Sequence, residues 1–400
     1  MTTLTLTNIG QLVTNASGVP GDLGLIEDAA VALDGDRVVW AGSTRDLPKA
    51  HRDADAIDCE GRAVLPGFVD SHTHAVFAGD RSEEFARRLR GESYEEILAA
   101  GGGIHSTVAA TRSTPTDRLA DEAVARLGRM LASGTTTVEV KSGYGLTTAD
   151  EVRILEAAIE AGRRSPVDVV ATFLGAHVPD RGMDRSEYVD LVVDEMLPAC
   201  APLAEWCDVF CDRGAFTVDD ARRILSAAAG LGLGAKLHAE QLAHTGAAAL
   251  AAEIGSASAD HLDHVTDEDA VLLREAGVVA VLLPAASFSM RSPQAPGRMV
   301  WDAGVTVALA TDCNPGTSNV ESMPFVIALA CLEMGLTPEE AVWAATLGGA
   351  QALRLDDRGR VTPGTLADLT IFDAPSYSHI PYRPGSALVW KVVKRGEVVA

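Results

Sequence analysis

His72-Thr73-His74 sets two imidazoles two residues apart. On an extended segment, residues i and i+2 point to the same face, so both rings aim one way. Neutral imidazole is a good ligand for zinc or iron, and two later residues, His238 and Asp312, offer the nitrogen and oxygen that complete such a set. A lone His-x-His is weak evidence. Preceded by Leu65-Pro66-Gly67-Phe68-Val69-Asp70 and joined by Thr311-Asp312, it points to a metal centre. A buried histidine pair satisfied by backbone groups would explain the spacing but not Asp312. The chemistry such a centre offers is hydrolysis, because a cation lowers the pKa of water from about 15.7 towards about 7.

Ligands so far apart in sequence need a scaffold that gathers them. Eight apolar, β-branched runs read as strands: Ala63 to Asp70, Thr135 to Lys141, Val167 to Leu174, Cys207 to Cys211, Ala235 to His238, Ala257 to His261, Val278 to Leu283 and Val305 to Thr311. Helix-like spans separate them, among them Glu83 to Ala100, Thr116 to Ala132, Asp150 to Arg163, Arg185 to Leu203 and Asp219 to Leu231. Strict alternation implies parallel strands, and eight repeats imply a closed (β/α)8 TIM-type barrel of the α/β class. Active sites of such barrels lie at the C-terminal ends of the strands. His72 and His74 follow the first candidate strand, Lys141 and Tyr144 the second, and His177 the third; His238, His261 and Asp312 end the fifth, sixth and eighth. Histidines scattered at random would not gather at one rim. Both chain ends are strand-rich, so the expected division is a composite β-sandwich domain from residues 1–62 and 362–400 around a catalytic barrel of residues 63–361.

Hydrophobic residues make up 47% of the 400, which is ample for a large core, but aromatics are only 5%, so that core must be mostly Ala, Val and Leu. Thirty-three basic against 56 acidic residues leave a formal charge of −23, which argues against nucleic acid and anionic lipid as partners. Met1 to Asn15 carries no basic cluster or continuous apolar stretch, and no run is long enough to span a bilayer. Six sparse cysteines fit free thiols in a reducing compartment, so a cytoplasmic location is expected. Cys207 and Cys211 lack the second pair that a zinc ribbon needs, and no base is placed beside Cys313 to make it a nucleophile. Gly101 to Gly103 lacks the Lys-Ser/Thr of a phosphate loop and reads as a flexible loop over the site. His244 and His264 fall in or beside helical stretches and are left unassigned.

Pro66-Gly67-Phe68-Val69-Asp70-Ser71-His72-Thr73-His74, with His238, His261, Asp312 and the tail Gly359-Arg360-Val361 through Gly364-Thr365-Leu366-Ala367-Asp368-Leu369, resembles the amidohydrolase superfamily over nearly the whole chain. The resemblance implies one zinc or iron ion per subunit, held by His72, His74, His238 and Asp312, with His261 beside it. Lys141 follows the second strand rather than the fourth, so it does not match the carbamylated lysine of binuclear members and reads as a supporting residue. Further segments are similar to the imidazolonepropionase family: Phe77-Ala78-Gly79-Asp80-Arg81, Gly101-Gly102-Gly103-Ile104, Glu139 through Gly145, Leu174-Gly175-Ala176-His177, and Asp312 through Thr317. That likeness implies hydrolysis of the cyclic amide of 4-imidazolone-5-propanoate to N-formimidoyl-L-glutamate in histidine degradation. It implies substrate contacts from Arg81, Tyr144, His177, Gln241 and Thr317, with Asn314 and Gly316 holding the opened product. It also implies a homodimer. In that reaction Asp312 moves the proton and His261 hydrogen-bonds the carbonyl oxygen as charge builds there.

A propionate arm makes the substrate an anion, and on so acidic a protein a local cation must hold it. Arg81 can grip a carboxylate with two parallel hydrogen bonds. The nearest alternative is an aminohydrolase of the same superfamily acting on a nitrogen heterocycle. Such deaminases place an acid three residues after the third metal histidine, where this chain has Gln241, with Glu240 just before it. A barrel that serves only as a scaffold should have lost ligands, and all four are present.

Overall fold

The computed structural model describes residues 3–52, 54–92 and 102–400. Five strands open the chain: β1 (Thr3–Leu12), β2 (Ile26–Asp34), β3 (Arg37–Ser43), β4 (Asp55–Asp58) and β5 (Ala63–Pro66). Eight follow in alternation with helices: β6 (Phe68–Asp70), β7 (Thr135–Lys141), β8 (Asp168–Ala176), β9 (Trp206–Cys211), β10 (Gly234–Ala239), β11 (Ser258–His261), β12 (Val279–Leu282) and β13 (Val307–Leu309). Then come β14 (Leu369–Phe372), β15 (Val389–Lys394) and β16 (Glu397–Val398).

The two terminal groups form one sheet in the order β16-β15-β14-β5-β1-β2-β3, with β4 pairing in parallel to Leu4 through Thr7 of β1. Alternate residues of its strands, among them Leu6, Leu12, Val31, Leu33, Ile371 and Val393, bury a core separate from that of the barrel. Strands β6 to β13 pair in sequence order as a parallel sheet. Read from the sequence, Ala63 to Asp70 is one strand. The structure splits it at Gly67: β5 pairs with β1 and β14 in the terminal sheet, and β6 with β7 in the barrel.

The barrel closes above its strands rather than between them. Thr73 bridges Cys313, His74 N donates to Cys313 O at 2.9 Å, and Asp312 N donates to His72 O at 3.0 Å. The closing seam therefore runs through two segments that carry expected ligands.

Helix starts follow the local sequence. Thr147 caps Thr148–Arg164, and capping boxes at Thr217/Asp220, Thr266/Asp269 and Thr337/Glu340 satisfy the free N–H groups of three more helices. Arg185 to Leu203 is an α-helix that widens into a π turn at Val192–Met196 and tightens again. Of the helix expected over Glu83 to Ala100, Ser82–Leu89 is seen, and 93–100 lie outside the described residues, as does Gly101.

Parity sorts the barrel side chains. On β7, Val138 and Val140 face the helices, packing with Leu127, Ile154 and Leu155, while Glu139 and Lys141 face inward. Burying each Val or Leu contributes about 1.5–3 kcal/mol. The interior is polar: Glu139, Lys141, Thr172, Asp208, Lys236 and Asp260 are fully buried there. Among the described residues, no helix is long and apolar enough to cross a membrane.

Candidate active site

Four imidazoles meet at the rim. The ring of His72 lies 4.5 Å from that of His238, 5.3 Å from His74 and 5.4 Å from His261, centroid to centroid. Asp312 completes the group, with Oδ1 3.5 Å from His72 Nε2 and 3.6 Å from His74 Nε2. His72 Nε2, His74 Nδ1, both nitrogens of His238 and His261 Nδ1 are buried without a hydrogen-bond partner. Buried polar atoms in native proteins are almost always paired, so orphaned nitrogens on four adjoining rings call for a ligand. Burial first, then neighbouring rings and Lys141, hold His72, His74 and His261 well below the ordinary histidine pKa. Neutral nitrogens and a carboxylate are the donor set of a zinc or iron site. The residues fit the metal.

Backbone conformation helps to place the side chains at the rim. His261 (φ 78°), Asp312 (φ 52°) and Glu240 (φ 54°) all take left-handed conformations where strands end. Such conformations cost energy in residues with side chains and gather at functional sites.

Below the rings lies a layer of charge. His72 Nδ1 donates to Asp260 Oδ2 at 2.6 Å, which leaves the lone pair of Nε2 free to bind a metal. Asp208 accepts from His238 N at 3.1 Å; its Oδ2 is 2.9 Å from His238 Nδ1, close but out of line for a hydrogen bond. Lys141 Nζ joins the two carboxylates, 2.8 Å from Asp208 and 3.5 Å from Asp260, and also meets Glu139 at 2.9 Å. Lys236 Nζ holds the other oxygen of Glu139 at 2.9 Å. Burial opposes charge on Lys141, yet Asp208, Glu139 and Asp260 push its pKa above the ordinary lysine range. Burial likewise opposes charge on Asp208, and His238 and Lys141 hold its carboxyl well below the usual range. His72 with Glu139 and Asp260 also has metal-like spacing. Two ammonium groups already occupy those carboxylates, so no cation is needed there.

Above the rings opens a cavity of about 610 Å³, lined by His74, His238, His261 and Asp312 together with Arg81, Tyr144, His177, Gln241, Asn314, Gly316 and Thr317. Every substrate contact expected from the sequence lies on it. A second cavity, of about 460 Å³, sits beside Asp212 and Arg213 and is lined by none of them.

Three loops shape the larger cavity. Glu151, fully buried, accepts from the N–H groups of Gly143 (2.9 Å), Gly145 (2.8 Å) and Leu146 (2.7 Å), which folds the Gly-Tyr-Gly turn over its helix. A Cβ on Gly143 would lie 2.9 Å from His177 Nδ1, so glycine lets that ring come close. His177 Nδ1 donates to Gly143 O at 3.1 Å, leaving Nε2 as an acceptor. Burial and then His238 lower the His177 pKa to about 3. Burial, then the charge of Asp312, pushes the Tyr144 phenol up, so it stays a neutral donor. In the last loop, Asn314 Oδ1 accepts from Gly316 N and Thr317 N, both at 2.8 Å, while its amide donates to Asp312 O (2.7 Å) and Thr317 Oγ1 (2.8 Å). Its side chain is saturated by the turn. Gln241 and Leu242 donate their N–H groups to Asp212 Oδ2 at 2.7 and 2.8 Å, which fixes the third loop.

Lys141 lies below the rings, against the carboxylates of Asp208 and Asp260 that meet His238 and His72. Glu139, Asp208, Lys236, Asp260, Glu151 and Asp212 were not singled out by sequence. Inward parity of Glu139 with Lys141, and of Lys236 with His238, is the signal that was there to read. Burial pushes the Cys313 thiol up, away from nucleophilic use, and Cys207 and Cys211 are free and buried. His244 pairs with Asp269 at 2.9 Å, outside the cavity lining.

The sequence profile of the amidohydrolase family matches residues 63–399. Over 99% of this chain and 98% of its own, an imidazolonepropionase of Salinispora arenicola is 53% identical. One from Streptomyces griseus is 51% identical over 100% of both chains. Among solved structures, an atrazine chlorohydrolase from Arthrobacter aurescens complexed with zinc superposes with a TM-score of 0.76 at 20% identity, covering 99% of this chain and 94% of the other. A zinc-bound adenosine deaminase from Xanthomonas campestris gives 0.76 at 20%, over 99% and 92%. These two establish likeness of fold.

Proposed function

The chain belongs to the amidohydrolase family and, within it, to the imidazolonepropionases, and from that premise we propose how its residues open the ring. It is a hydrolase of carbon–nitrogen bonds in cyclic amides. The observation that carries the assignment is identity of about half the residues from end to end with two imidazolonepropionases.

A single zinc or iron ion, held by His72, His74, His238 and Asp312, would supply hydroxide at neutral pH by lowering the pKa of water towards about 7. Asp312 takes the proton of the attacking water and passes it to the leaving ring nitrogen. His261 donates a hydrogen bond to the carbonyl oxygen of 4-imidazolone-5-propanoate as negative charge develops. The acceptor Nε2 of His177 and the phenol of Tyr144 orient the imidazolone, and Gln241 fixes its edge without transferring protons. Thr317 Oγ1, 3.5 Å from Asp312 Oδ2, holds that carboxylate in line. Asn314 serves by building the turn that presents Gly316 and Thr317.

The deaminase alternative would need Glu240 in place of the missing acid. Its carboxylate instead accepts from Gly246 N and Ala248 N, both at 3.0 Å, and caps a helix on the far side of the loop. The test is an ultraviolet assay of purified protein on 4-imidazolone-5-propanoate beside cytosine, guanine and adenosine. Ring opening of the first alone is expected; turnover of a base without turnover of the imidazolone would overthrow the reading.

A further inference from the structure

Beneath the rim lies a place shaped for a cation and filled by a side chain. Glu139 and Lys141 of β7, Asp208 of β9 and Asp260 of β11 are all fully buried. Alternate strands of a barrel share interior layers, which is how carboxylates so far apart in sequence come to meet. One oxygen of each is pinned by another partner: Glu139 Oε2 by Lys236 Nζ at 2.9 Å, Asp208 Oδ1 by His238 N at 3.1 Å, and Asp260 Oδ1 by Ser258 Oγ at 2.5 Å. The other oxygens, Glu139 Oε1, Asp208 Oδ2 and Asp260 Oδ2, converge. Lys141 Nζ stands among them at 2.9, 2.8 and 3.5 Å.

Two observations separate this from an ordinary ion pair. Ligand atoms of His72, Glu139 and Asp260 all lie within 4.8 Å of one another, the spacing that a metal ion takes. Asp208 Oδ2 is buried without an aligned hydrogen bond, although the ammonium is only 2.8 Å away. Carboxylates pinned from outside keep their places when the ammonium is removed, and three of them left against Lys236 alone are costly to bury. A divalent ion answers that charge, and a set of oxygens suits manganese, magnesium or calcium.

Building on the single-ion centre of the ring-opening reading, we infer that Lys141 fills a second cation position, formed by Glu139, Asp208 and Asp260, and so limits the chain to one metal ion. A mobile ion there would draw Asp260 and Asp208 away from His72 and His238, the rings that they meet. An ammonium tied to β7 leaves both carboxylates where the rings need them. Without that ammonium, the position is open to a divalent cation that prefers oxygen.

The test loads wild type, Lys141→Met and the double variant Lys141→Met/Glu139→Gln with zinc, removes the excess, and titrates each with manganese(II). Paramagnetic resonance counts the free manganese, and mass spectrometry the zinc retained. Methionine fills the space of the lysine stem and leaves the ammonium position open. Histidine-rich sites prefer zinc to manganese, so uptake reports the lower position. Wild type should take up no manganese. Lys141→Met should take up about one ion per chain, and its melting temperature should rise by roughly 5 °C at saturation. Glu139→Gln in the double variant should weaken that uptake by about 10-fold or more. No uptake by Lys141→Met, equal uptake by wild type, or undiminished uptake by the double variant would overturn the inference alone. If Lys141→Met is unfolded as purified, manganese should restore its circular dichroism, and failure to do so would overturn the inference as well. Wild type that holds no zinc would overturn it together with the metal centre on which it rests.

Discussion

Asp260 accepts a hydrogen bond from Nδ1 of His72 and Asp208 lies against Nδ1 of His238, so each ring turns Nε2 to the centre, and Lys141 binds both carboxylates in place. Partners of this kind fix the tautomer and orientation of a ligand, and losing one typically costs about 10- to 100-fold in metal affinity. Asp260→Asn is therefore expected to weaken zinc binding by that factor in a chelator competition; unchanged affinity would make Asp260 a packing residue only. Asp312→Asn keeps an oxygen at the same place and removes the proposed base. Its kcat should fall by about 10²–10⁴-fold while metal content, read by mass spectrometry, falls far less. Normal turnover by that variant with metal bound would move proton transfer to His261. The four residues proposed as ligands could be singled out from the sequence because strand-end position and His-x-His spacing are local. The carboxylates that aim them were not, because His72 and Asp260 are 188 residues apart and meet only once the barrel closes.

At the scale of elements, eight alternations announced the barrel, and capping residues such as Thr147 and Thr217 announced its helices. What pattern could not show is the change of sheet inside Ala63 to Asp70, since both halves are equally apolar and only the partner strands differ. The terminal sheet is fastened to the barrel by a cluster at the start of β8. Asp168 accepts from Arg358 (2.8 Å) and Lys394 (2.9 Å), and Arg395 at 3.0 Å completes it. Burial raises the Asp168 pKa, but Lys394, Arg395 and Arg358 outweigh it and hold the carboxyl below its ordinary value. A carboxylate with a depressed folded-state pKa stabilises above its unfolded pKa, near about 4, and loses that contribution as pH falls through the folded value. Asp168→Asn is expected to cost about 1–3 kcal/mol at pH 7, between exposed and buried pairs. The gap to wild type in denaturant melts should narrow as pH drops below about 4. A gap that does not change with pH would mean that the cluster contributes packing and not charge.

The whole molecule joins a charge of −23 to a site in which orphaned donors and arginines gather at one mouth of one barrel. Composition rightly led away from a core built on aromatics. It was silent on the polar barrel interior, because Glu139, Lys141, Asp208, Lys236 and Asp260 are too few to mark a chain with 22% charged residues. The proposed ring opening requires the nitrogens of the rim to hold a metal ion. The direct measurement is the loss of 4-imidazolone-5-propanoate absorbance on addition of the protein as purified, after exhaustive chelation, and after return of zinc or iron. Activity should vanish with the metal and return as about one ion per chain is restored. Full turnover by protein shown to be metal-free would contradict the account.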